Sequence, residues 1–210
     1  MDPSSASAQL QTIRTLMERV ALYRRALVPC CLIAGGAGTA AATLGLVLHF
    51  SSLSSFLALW ISTAALALGT ALAVIRREAI RADEPFWTPP TRRVAAAFLP
   101  PMVAAIVATV WIARIGSPDS RLVPTLLPSV WMACYGLGLH AAGFFMPRGI
   151  RWLGWIFLAA SALLSPILDW AAVEPRASFA AANLSMGIAF GAGHLAYGLY
   201  LRATESTHTS

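Results

Sequence analysis

Six apolar stretches, each long enough to cross a bilayer, take up most of this chain, and the short segments between them hold nearly all of its arginines. A hydrocarbon core is roughly 30 Å thick, and a helix rising about 1.5 Å per residue crosses it in about 20 residues. The pattern predicts an all-α polytopic membrane protein, a six-transmembrane-helix bundle led by a short N-terminal amphipathic helix over residues 1–25. The predicted spans run from Ala26 to Leu48, Leu53 to Ile75, Val94 to Ala113, Leu122 to Met146, Trp152 to Ala172 and Phe179 to Leu201. The transmembrane domain then covers residues 26–202, with 203–210 as a disordered tail.

Charge is scarce and placed by rule. Only 11% of residues are charged against 58% hydrophobic, where a soluble domain carries about 25% charged residues. Twelve of the fifteen arginines flank one set of span ends, before the first span, between the second and third, between the fourth and fifth, and after the sixth. Arg114, Arg121 and Arg176 alone fall on the other side. Basic residues mark cytoplasmic loops, so both termini are expected in the cytoplasm, with Arg24, Arg25, Arg76, Arg77, Arg92 and Arg93 as basic anchors at the headgroups. The same placement accounts for the net charge of +6 without nucleic acid. Trp87, Trp152, Trp155 and Tyr200 at that boundary, and Trp111 and Trp170 at the other, fit interfacial belts.

Leu10, Ile13, Met17 and Val20 recur at helical spacing before the first span, which suits a helix lying on the membrane surface. The longest connection runs from Asp83 to Thr91, where Thr88 followed by two prolines reads as a helix start. Cys30, Cys31 and Cys134 lie within spans without metal-ligand spacing and read as small packing residues.

Ionisable groups within spans are costly and draw the first functional questions. His140 and His194 lie six and seven residues before their span ends, on two spans that run in the same direction, so they are expected at one depth. Asn183, Gly187, Gly191, His194 and Gly198 follow at spacings of 4, 4, 3 and 4, and Ala133, Gly136, His140 and Gly143 at 3, 4 and 3. Each set lines one face of a helix and permits close backbone approach, so both histidines are expected to point into the bundle. Three readings of His140, Asn183 and His194 stand side by side: interhelical hydrogen bonding, a proton-coupled transport site, and a bis-histidine site for haem or a metal. Hydrogen bonding is the reading preferred, with no cofactor, because no carboxylate stands behind either imidazole.

Catalytic signatures are missing. No Gly-rich phosphate loop, H-E-x-x-H or G-x-S-x-G run occurs. Neither does any serine or aspartate nominate itself as a nucleophile beside the histidines.

The stretch from Ile13 to Arg19 (IRTLMER), Thr91-Arg92-Arg93-Val94, Tyr135-Gly136-Leu137-Gly138-Leu139 with Arg151-Trp152-Leu153-Gly154, and Gly187 to Tyr200 (GIAFGAGHLAYGLY) resemble a family of uncharacterised bacterial six-span integral membrane proteins. The resemblance spans nearly the whole chain and implies no activity. Its members can carry Asn at the position of His140, which leaves His194 the more interesting polar residue. The sequence thus points to a non-enzymatic structural, regulatory or accessory component of a bacterial inner membrane. Membrane lipid is the expected partner, together with a second copy of the chain or a cytoplasmic protein. The alternatives are a small transporter or channel and a haem-binding electron carrier.

Overall fold

The computed structural model describes residues 26–83, 85–115, 122–146, 149–171 and 177–206. Every regular element among them is a helix, and six are long and apolar enough to cross a membrane. These are α1 (Ala26–Val47), α2 (Leu53–Arg81), α3 (Pro89–Ile115), α4 (Leu122–Ala142), α5 (Gly149–Ala171) and a sixth rod. The rod comprises α6 (Ala177–Met186), a π-helical turn over Gly187–Ala192, and α7 (Gly193–Ser206). The protein is a multi-pass membrane bundle. The expected surface helix over 1–25, with Arg24 and Arg25, lies outside the described residues.

Helix ends depart from the apolar stretches for a consistent reason. Hydropathy locates the lipid slab, whereas a helix continues until its last backbone groups are capped or turned. Thus α2 runs six residues past Ile75 through Arg76 and Arg77 to Arg81, and α3 starts at Pro89, ahead of Arg92 and Arg93. Thr88 precedes it, with the Thr91 backbone N–H donating to the Thr88 hydroxyl at 3.4 Å. Because α3 starts early, Pro100 and Pro101 fall in mid-helix and not near an end. Conversely α4 stops at Ala142 although the apolar run reaches Met146, and Phe145 N–H donates to Ala142 O in the turn that follows. The stretch from residue 203, expected as a disordered tail, is helical through Ser206. Between α1 and α2 the chain turns through His49 at φ 52°, a left-handed position that a non-glycine residue rarely takes. Ser52 then caps α2, its hydroxyl accepting from Ser55 N–H at 3.2 Å.

The core sits in two layers around α1, α4 and the sixth rod. Toward the arginine-bearing end, Cys31, Met132, Leu139, Leu153, Phe157 and Tyr197 pack together. Toward the opposite end the layer is Ala42, Phe56, Trp60, Leu127, Ala182 and Met186. By contrast, α3 has no fully buried residue and most of α2 is exposed. Lipid is as apolar as leucine, so close packing and hydrogen bonds, not water exclusion, must hold such helices to the centre.

Glycine supplies the close packing. A Cβ on Gly136 would lie 2.8 Å from Gly154 O, and one on Gly154 would lie 2.8 Å from Gly136 O, so α4 and α5 touch backbone to backbone. On the sixth rod, a Cβ on Gly191 would meet Thr39 N at 2.9 Å, and one on Gly187 would meet Ala42 Cβ at 2.5 Å. From α1, Gly35, Gly38 and Gly45 reach Leu195, Gly191 and Asn183 in the same way, giving an antiparallel seam.

Candidate functional site

His194 is 4% exposed and both of its ring nitrogens have partners. Nδ1 lies 2.9 Å from Phe190 O, one turn back on its own helix. A carbonyl can only accept, so the proton sits on Nδ1, and Nε2 accepts from the Tyr135 hydroxyl of α4 at 2.7 Å. Aromatic rings close around the pair. Phe157 stands edge-on to His194 at 5.4 Å between centroids, Phe190 is stacked at 6.1 Å, and Phe98 from α3 is edge-on to Tyr135 at 5.6 Å.

Asn183 is fully buried and built the same way. Its amide nitrogen donates to Phe179 O one turn back at 2.9 Å, and its Oδ1 accepts from the Trp60 indole N–H of α2 at 2.8 Å. The indole can only donate, which fixes which amide atom faces it. Gly45 of α1 makes the room, since a Cβ there would lie 2.7 Å from Asn183 Oδ1.

The polar set read from the sequence is therefore not one site. Asn183 belongs with α1 and α2, eleven residues before His194 on the rod. His194 does not share the face of Asn183, Gly187 and Gly191 as its spacing predicted. The π turn is the reason: its bonds reach five residues back, as from Gly193 N–H to Ile188 O, so a residue is added to one turn. Past it the seam against α1 continues through Leu195 and Gly198, and His194 is turned toward α4 and α5.

His140 also departs from expectation. Its partners are Phe144 and Trp155, both edge-on, at 5.5 Å and 5.3 Å, and both exposed side chains. Its Nδ1 is buried without a hydrogen-bond partner. The partner of His194 on α4 is Tyr135, five residues before His140 and so about 7.5 Å away in helix rise. The two histidines are thus held in separate surroundings, and a ligand bridging them would have to break the Tyr135 bond to reach Nε2. Among the described residues no group of three or more His, Cys, Asp and Glu side chains is gathered for a metal.

The residues that complete these pairs, Tyr135 and Trp60, pass for ordinary apolar residues in the sequence. Their signal is the polar tip each must satisfy when buried. The other tryptophans divide cleanly. Trp131 donates to Thr109 Oγ1 at 2.7 Å, whereas Trp87, Trp111, Trp152, Trp155 and Trp170 are exposed. Arg76, Arg77, Arg92 and Arg93 are exposed at one end of the bundle. At the opposite end, Ser165 donates to Ser185 at 3.3 Å, and Ser129 Oγ, Asp169 Oδ1 and Ser178 Oγ are buried without partners.

Comparison with protein-family models, curated proteins and solved structures finds no match. The site's chemistry therefore rests on this geometry alone: neutral hydrogen-bonded pairs that tie helices together.

Proposed function

We propose that this chain is a non-enzymatic structural, regulatory or accessory component of a bacterial inner membrane, with both termini in the cytoplasm. The observation that carries the reading is the self-sufficiency of the intramembrane polar residues. His194 and Asn183 each spend one group on their own helix and the other on a neighbouring helix. His194 therefore offers no vacant donor or acceptor to a substrate, and Asn183, fully buried against α1 and α2, is closed off from one. The glycines of α4 and the sixth rod are consumed within the chain, so a second copy would join through the open faces of α2 or α3. A cytoplasmic partner would meet the arginine-bearing end. The resemblance to uncharacterised six-span bacterial proteins agrees with this placement and adds no activity.

A second reading, a small transporter, draws on one observation. Three partnerless oxygens, on Ser129, Asp169 and Ser178, lie toward the end opposite the arginine-rich one, and intramembrane carboxylates often mark ion paths. Proteoliposomes loaded with a pH-sensitive dye separate the two. The accessory reading expects proton flux no greater than in empty vesicles; flux that Asp169→Asn abolishes establishes the transporter instead. A fluorescent protein fused after Ser210 tests the orientation, because it matures in the cytoplasm and stays dark if exported unfolded.

A further inference from the structure

At the arginine-bearing end of α4 and α5, three side chains converge that the helix pairs do not use. The Arg151 guanidinium lies over the Phe144 ring, 5.2 Å from its centroid, and the same ring is edge-on to His140 at 5.5 Å. Gly143 lets this happen: a Cβ there would lie 2.5 Å from Arg151 Cγ, so the arginine stem crosses where any other residue would stand. Trp155 is edge-on to the same imidazole at 5.3 Å.

The cluster carries a guanidinium and no carboxylate to balance it. The one ion pair among the described residues joins Arg81 to Glu78 at 3.2 Å, which leaves Arg151 without a carboxylate. His140 Nδ1 is buried with no partner. A bare lone pair is tolerated better there than a bare N–H, which puts the imidazole proton on the other nitrogen, Nε2. A guanidinium and an imidazole thus flank one aromatic ring at a span end. Below them, Trp155, Ile156 and Leu163 form an exposed apolar track along α5.

The geometry points to a binding site for one anionic phospholipid, its phosphate held by Arg151 and His140 Nε2 and an acyl chain laid along Trp155, Ile156 and Leu163. Charge decides the class. Arginine matches phosphate oxygens in a bidentate fork, and an end crowded with exposed arginines disfavours a choline headgroup. The site is independent of the accessory reading, since neither the His194–Tyr135 pair, nor the Asn183–Trp60 pair, nor Asp169 takes part.

Native mass spectrometry of the full chain in detergent, offered equal phosphatidylglycerol and phosphatidylcholine, tests it. The expected result is one tightly retained phosphatidylglycerol, preferred by about fivefold or more, the ratio that one interfacial arginine supports. Arg151→Gln should erase the preference and His140→Phe should weaken it, while Arg202→Gln, at the same end on the sixth rod, should leave it intact. Retention of the preference in Arg151→Gln, or its loss in Arg202→Gln, overturns the site in favour of a diffuse basic surface. A readout in the unaltered protein guards against a misfolded variant: brominated phosphatidylglycerol should quench the Trp155 emission, taken by difference from Trp155→Phe, more than brominated phosphatidylcholine does. Equal quenching overturns the proposal.

Discussion

The two ends of the sixth rod solve one problem with different materials. Asn183 and His194 each donate to the carbonyl four residues back and each accept from an aromatic side chain of another helix. Around Asn183 the space is made by Gly45 and the partner is the large indole of Trp60, whereas His194 and Tyr135 sit within a box of phenylalanine rings. One pair pins α2 and the other pins α4. The π turn between them lets a single rod present its two polar groups in different directions. Small residues set how near helices come, and buried polar pairs set which helix is met at which register.

The largest effect should come from removing the seam both pairs depend on. In Gly191→Leu the new side chain meets Thr39 backbone at 2.9 Å, an atom that cannot swing aside. The expected cost is about 3 kcal/mol or more, read as loss of the monodisperse species on gel filtration in detergent. A folded, equally stable Gly191→Leu protein would show that α1 does not approach as described.

Trp60→Phe comes next. It leaves Asn183 Oδ1 buried without a donor and opens a void where the larger ring stood. A loss of about 1–3 kcal/mol is expected, measured by denaturation in mixed micelles. Adding Asn183→Leu should recover part of it, because the orphaned oxygen goes with the side chain.

Tyr135→Phe probes the other pair and should cost less, about 1 kcal/mol. The ring and its aromatic neighbours are kept and only the hydroxyl is lost. If it matches Trp60→Phe, the void under Trp60 counts for nothing and the two pairs are energetically alike.

How much of this the sequence made legible follows from what each feature depends on. Span number, the glycine faces of α4 and the sixth rod, and the polarity of Asn183 and His194 are periodic or compositional, and all are readable along the chain. Tyr135 and Trp60 as partners are not, since a buried aromatic reads the same whether its polar tip is satisfied or absent. The α1 side of the seam, Gly35, Gly38 and Gly45, has spacings of 3 and 7 that are as regular as those on α4, yet it carries no histidine or amide to draw notice. The π turn defeats spacing itself: the step from Gly191 to His194 lies on one face only if every turn holds 3.6 residues.

The smallest effect separates both pairs from the third polar residue. His140 has exposed aromatic neighbours and a buried Nδ1 that bonds to nothing. Replacing it with phenylalanine removes an unsatisfied atom and keeps a ring between Phe144 and Trp155. Stability should change by no more than about 0.5 kcal/mol, in either direction. A loss near that of Tyr135→Phe would place His140 among the residues that fasten helices together, and the contrast between pinned and free histidines would fail. A neutral outcome, joined to weakened retention of anionic lipid, would instead assign His140 to the membrane surface of the protein and leave the inside of the bundle to His194 and Asn183.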